Sequence, residues 1–120
     1  MAGYRVSRLS EDIKREIIIV IRELKDPRVR EKLLTIVRVE VSNDLSFAKV
    51  YVSAVEGLEV AKTAVKGLES AVGHIRSEVG KRLHLRKTPE MRFIADNSIE
   101  YGMKIAKMLD DIGSEDHDKG

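Results

Sequence analysis

An α+β layer domain, with helices on one face of a small three-stranded mixed sheet, is the fold class this sequence predicts. Three observations carry it. Apolar residues recur every three to four positions near the start, through a long middle run and again near the end, which is helical spacing. Two segments that alternate apolar with polar residues stand next to each other between the first helix and the middle run. A third alternating segment follows the second after about 35 residues, the length of a crossover and not of a hairpin, so it belongs parallel to the second strand and beside it. A chain of 120 residues is large enough for one core and too small for two.

The first helix covers residues 6–24, with Val6, Leu9, Ile13, Ile17, Val20, Ile21 and Leu24 on its stripe and Ser7 or Ser10 placed to cap it. It stops at Lys25-Asp26-Pro27-Arg28, because the residue before a proline is pushed out of the α region. Residues 35–41 form a strand with Val37, Val39 and Val41 on one face. Ser42-Asn43-Asp44-Leu45-Ser46 is turn chemistry, and residues 47–55 return with Ala48, Val50, Val52 and Ala54 on one side and Phe47, Lys49, Tyr51 and Ser53 on the other.

The run over residues 58–85 organises the rest. Val60, Ala64, Leu68, Ala71, Val72, Ile75, Val79 and Leu83 share a face, yet Gly67, Gly73 and Gly80 sit inside it. Each glycine costs roughly 1 kcal/mol against alanine in a helix interior, so a broken helix keeps the pattern better than a straight one. The break is expected at Ser70-Ala71-Val72-Gly73. It opens the N-terminus of a second helix, whose unpaired N–H groups and positive dipole end suit a phosphate. Thr88-Pro89 ends the run, residues 90–96 give the third strand with Met91, Phe93 and Ala95 on one face, and Asn97-Ser98 caps a last helix with Ile99, Gly102, Ile105, Ala106, Leu109 and Ile112 along one side. The domain is therefore expected over residues 1–112, with 113–120 a short acidic flexible tail.

The formal charge of +2 is unevenly spread. Residues 1–57 carry 11 basic and 9 acidic groups, residues 58–95 carry 8 and 4, and residues 96–120 carry 3 and 7, local balances of +2, +4 and −4. Basic charge gathered on the broken helix, away from an acidic end, fits a polyanion binder. With no cysteine, neither a disulfide nor a thiolate metal site holds the chain, and a reducing cytoplasm is compatible. The apolar block at residues 17–21 is five residues long, far below the roughly 20 that cross a bilayer, so no membrane partner is expected.

An enzyme has little to work with. His74, His84 and His117 stand at no metal-ligand spacing, and phosphate loops of the Walker or dinucleotide type are absent. Asp96 and Glu100, four apart, are the one pair to consider for a divalent ion, but a strand end and a first helical turn favour acids anyway. No catalytic residue, metal or cofactor is expected. Arg76 falls three residues past Gly73, with Lys81, Arg82, Arg86 and Lys87 beyond it; Arg5, Arg8, Lys25, Arg28 and Arg30 are further candidate contacts. Two phenylalanines and three tyrosines leave shape and phosphate contacts as the main terms. The reading from another class is a protein-interaction or regulatory module using the exposed strand face around Lys49, Tyr51 and Ser53.

This order of elements resembles the type II KH arrangement, an RNA-binding fold, with its Gly-x-x-Gly loop replaced here by Ala71-Val72-Gly73. That kink, with Lys25-Asp26-Pro27-Arg28, the stretch from Asp44 to Ser53, Ile75-Arg76, Gly80-Lys81, Pro89-Glu90, and Asp96-Asn97-Ser98 followed by Gly102, is similar to the ribosome-binding factor A family from about Val6 to Leu109. The resemblance implies a noncatalytic, monomeric, cytoplasmic protein that binds the small (30S) ribosomal subunit while its RNA matures and helps the 5′ end of 16S rRNA reach its processed form, with a ribosome-associated GTPase as a further candidate partner. It places Ala71 and Gly73 at the family's kink and Arg76, Lys81 and Arg82 beside it. Family members often carry a longer C-terminal extension than this chain.

Overall fold

The computed structural model describes the backbone of residues 2–119 and the side chains of residues 5–98 and 102–112. Its elements run α1 (Ala2–Ile21), α2 (Pro27–Arg30), β1 (Leu34–Val41), β2 (Phe47–Ala54), α3 (Leu58–Ser70), α4 (Val72–Leu83), β3 (Glu90–Ala95) and α5 (Ser98–Lys119). The sheet has the order β1-β2-β3, antiparallel between β1 and β2 and parallel between β2 and β3, as the crossover length requires. α1 lies along β1 and α4, and α3 lies across β2 and β3. Ile13, Ile17 and Val20 of α1 meet Val50 and Val52 of β2, Leu68 of α3, and Ile75 and Val79 of α4 in one core, all fully buried.

Local chemistry explains the boundaries. α1 ends at Ile21 and not at residue 24, because Glu23 and Leu24 donate to the carbonyls of Val20 and Ile21 in tight turns before the chain reaches Pro27. Asp26 caps the single turn α2, its carboxylate accepting the Arg28 N–H at 2.9 Å. In β1 the register slips between Ile36 and Arg38, so Val37 is an extra residue in a bulge. The expected alternation therefore fails at one point: Ile36, Val39 and Val41 are buried, and Val37 is only partly so. The turn follows its chemistry. Asp44 Oδ1 accepts from the Ser42 hydroxyl at 2.7 Å, the Ser46 hydroxyl at 2.6 Å and the Ser46 N–H at 3.1 Å, while Leu45 takes the left-handed conformation with φ 63°.

On α3 the expected stripe holds at Ala64 and Leu68, both fully buried, and departs at its start, where Ala61 is buried and Val60 only partly so. Ser53, expected on the outer face of the sheet, is also buried, and its Oγ has no hydrogen-bond partner among the described residues. At the edge of the sheet, Glu69 of α3 accepts the N–H of Phe93 at 2.8 Å, which occupies one donor on an otherwise open strand. α5 meets the sheet at β2 but leaves its own apolar stripe uncovered. Met103, Ile105, Met108, Leu109 and Ile112 are all exposed, so its apolar stripe does not enter the core. The helix continues past residue 112, and no element end marks the boundary expected there; the side chains of 113–120, with His117 and the acidic tail, lie outside the described residues.

Candidate nucleic-acid interface

The helix breaks at Ala71, which caps both α3 and α4 with φ −102° and ψ 10°. The causes are local. Ser70 donates its hydroxyl back to the carbonyl of Lys66 at 3.0 Å, a bond that bends helices. Gly67 lets α3 close onto α2, where a Cβ would lie 2.9 Å from Val29 Cγ2. No side chain caps the start of α4, so its first N–H groups face a surface on which Gly73 and His74 are exposed. A Cβ on Gly73 would meet nothing within 4 Å. Of the kink residues Ala71, Val72 and Gly73, the first carries the break and the last leaves open space above it.

Around this opening the charges are mixed. Arg28 is held by Asp26, Nη2 to Oδ2 at 2.6 Å and Nε to Oδ1 at 3.0 Å, and reaches Ser70 Oγ at 3.4 Å. The Arg28 guanidinium holds the Asp26 carboxyl below its ordinary range. Arg76 is half-buried, donating from Nε to the Pro89 carbonyl at 3.0 Å and from Nη2 to the Thr88 carbonyl at 2.8 Å. Arg76, expected to share a phosphate with the N–H groups at the start of α4, spends two of its donors tying α4 to the segment entering β3. A cleft of about 380 Å³ next to it is lined by Glu69, Val72, Arg76, Glu90, Met91 and Arg92.

The other cations named from sequence do not form one continuous site. Arg82 lies between Glu23 and Glu16, at 3.4 and 3.8 Å, and Lys81 is exposed, 3.9 Å from Glu78. Arg86 and Lys87 sit past the C-terminal end of α4, about 17 Å from its start at 1.5 Å per residue. There they join Arg5 of α1 in a second cleft of about 440 Å³, completed by Leu9, Asp44, Leu45, Ser46 and Leu85. Arg8 and Lys25 are exposed outside both clefts, and Arg30 lines a third groove with Arg22 and Lys32. Sequence reasoning missed Arg92 as a site residue, although the alternation of β3 already sent it outward.

Asp96 is occupied as well. Its carboxylate accepts the Ser98 N–H at the start of α5 and lies 3.7 Å from Arg38, and the Ser98 contact holds it below its ordinary range. Glu100, its imagined metal partner, has its side chain outside the described residues. Among the described residues no helix is long and apolar enough to cross a membrane.

Comparison with known proteins matches this geometry. The family model described as ribosome-binding factor A matches residues 5–109. The Acetivibrio thermocellus ribosome-binding factor A is 48% identical over 112 residues, 92% of this chain and 90% of that one. The crystal structure of ribosome-binding factor A from Thermus thermophilus superposes with a TM-score of 0.65 at 30% identity, covering 75% of this chain and 94% of that one. A homology model of the Thermus thermophilus factor, fitted into a cryo-electron microscopy map of its complex with 30S, gives a TM-score of 0.62 at 29% identity, over 74% of this chain and 92% of that one. With its break between α3 and α4, its mixed sheet and a family match over nearly its whole length, this chain belongs to the ribosome-binding factor A family.

Proposed function

We propose that this chain is a noncatalytic assembly factor that binds the immature 30S subunit in the cytoplasm, as a monomer, and assists late processing of the 5′ end of 16S rRNA. Family membership supports the ribosome as partner, as does the Thermus thermophilus relative fitted into the map of a 30S complex. A ribosome-associated GTPase acting in the same step is the further partner this reading names. The observation that carries it is the uncapped start of α4 at Ala71, open above Gly73. Backbone N–H groups there take one rRNA phosphate, and the cleft of Arg5, Arg86 and Lys87, past the opposite end of α4, takes a second. Two fixed phosphate sites favour the RNA conformation that matches their separation. Nothing more than differential affinity is needed to shift the population of RNA conformers.

Cosedimentation with immature free small subunits and with complete ribosomes, over a salt series, tests this. The expected result is preference for the immature subunit, with log affinity falling linearly in log salt, and a slope reduced by about one unit for each of Arg86→Ala and Lys87→Ala. Salt-insensitive binding, or equal binding to complete ribosomes, would contradict it. Arg76→Ala is a poor probe, because it also strips two carbonyls of their donors.

A further inference from the structure

The outer face of the sheet carries a pair of cations with one shared carboxylate neighbour, Glu40, which the hydrogen bond from Arg38 and, to a lesser degree, Lys49 hold below its ordinary range. Glu40, Lys49 and Arg92 stand in one row across the three strands, since Glu40 pairs with Lys49 in the β1–β2 register and Lys49 pairs with Arg92 in the β2–β3 register. All three are exposed, and neighbouring strands lie about 4.8 Å apart. Like charges directly opposite each other on adjacent strands work against the sheet. The one carboxylate in the row is hydrogen-bonded elsewhere: Glu40 Oε1 accepts from Arg38 Nε at 2.8 Å, and Oε2 accepts from the Tyr51 hydroxyl at 3.4 Å. Arg38 closes that set by lying 3.8 Å from the centroid of the Tyr51 ring. Among the described residues neither Lys49 nor Arg92 has an ion-pair partner within 4 Å.

Two neighbours say which anion suits the pair. Phe47, two residues before Lys49 on the same face, is 51% exposed and shares with it a shallow cleft lined by Glu40, Val41 and Ser42. Arg92 also lines the cleft that holds Val72 and Arg76, so the row is continuous with the kink. A ligand that alternates negative charge with flat apolar rings, and that reaches the start of α4, is a single nucleic-acid strand. We propose that the outer sheet face is a second RNA site, where Lys49 and Arg92 hold phosphates of a short single-stranded segment and one base rests on Phe47, the strand passing over the β3 edge from the kink. This rests on the phosphate-binding reading of the kink and extends it to a face that the helices α1, α3 and α4 leave open.

The test uses the full chain and a fluorescein-labelled U12 oligoribonucleotide, titrated at several salt concentrations, with Arg92→Glu, Lys49→Ala and Phe47→Ala. Arg92→Glu places an opposite charge beside Lys49, so its thermal midpoint should hold or rise while U12 affinity drops at least tenfold. Lys49→Ala should flatten the salt slope by roughly 0.7, the amount for one single-strand phosphate contact. Phe47→Ala should lower affinity and leave the slope unchanged. U12 affinity and slope untouched by all three variants, in a chain where Gly73→Asp does weaken U12 binding, would overturn this site and leave the kink standing. Loss of small-subunit binding by Arg92→Glu with U12 binding intact would mean that the face meets protein, and would also overturn it. Failure of the unsubstituted chain to bind U12 while it still binds small ribosomal subunits would overturn this site and leave the proposed function standing.

Discussion

Three glycines inside one helical run have three different surroundings. Gly67 is buried against α2, where a Cβ would lie 2.9 Å from Val29 Cγ2 and 3.3 Å from Arg28 Cβ, and on Gly80 a Cβ would lie 2.4 Å from Thr88 Oγ1. Gly73 has open space and is not among the residues with positive φ, so neither packing nor backbone conformation demands a glycine there. Gly67→Ala should therefore destabilise by about 1–3 kcal/mol through overpacking, and Gly73→Ala should stabilise by up to about 1 kcal/mol, both read from urea unfolding. If Gly73→Ala nonetheless weakens subunit binding, the glycine serves close approach of a ligand. Asp44 gives a pH signature. Hydrogen bonds from the Ser46 and Ser42 hydroxyls push its pKa down to about 2 from an ordinary 3.8. A depressed carboxyl stabilises the fold above its unfolded pKa, and this is lost as pH falls through the folded value. The thermal midpoint of Asp44→Asn should thus lie below that of the unsubstituted chain at pH 5, with the gap closing between about pH 4 and pH 2. A gap constant with pH would mean that the charge of Asp44 plays no part in holding the turn.

At the scale of elements, much was legible before any coordinates. Glycines within a helical period marked the break at Ala71, the residue before Pro27 marked the end of the first helix to within a few positions, and the crossover length fixed β3 as parallel to β2. What escaped depends on partners distant in sequence. The bulge at Val37 is one residue of slack between β1 and β2, invisible where Thr35, Ile36 and Val37 are β-branched in a row. Arg76 spends its donors on Thr88 and Pro89, 12 and 13 residues on, and Arg86 and Lys87 find Arg5 only because α1 lies along α4. Helical spacing showed that α5 has a stripe but not whether anything covers it. Because Leu109 is 63% exposed while Leu68 is fully buried, Leu109→Ala should change the unfolding free energy by less than about 0.5 kcal/mol and Leu68→Ala should cost about 2–5 kcal/mol. A large loss from Leu109→Ala would show that α5 is covered in solution.

Over the whole molecule, charge and shape separate the parts proposed to meet RNA from the helix whose apolar stripe stays exposed. The chain measures 62 × 40 × 17 Å with a radius of gyration of 17.5 Å, against about 13–14 Å for a compact chain of this length. α5 is exposed over residues 102–112 and bears Asp110 and Asp111, so its acidic end adds no cation to the kink, the Arg5-Arg86-Lys87 cleft or the Lys49-Arg92 row. On the proposed reading, three phosphate-sized sites on a thin body, spaced by one helix and one sheet edge, let a protein with so few aromatic residues read RNA by shape. The claim on which this depends is that the start of α4 faces a phosphate. The most direct measurement is binding of Gly73→Asp to small ribosomal subunits, with stability measured in parallel. The added carboxylate has room and sits at the favourable end of the helix dipole, so stability should hold or rise, while affinity should fall at least tenfold as charge repels charge. Undiminished affinity in a stably folded Gly73→Asp protein would contradict the account.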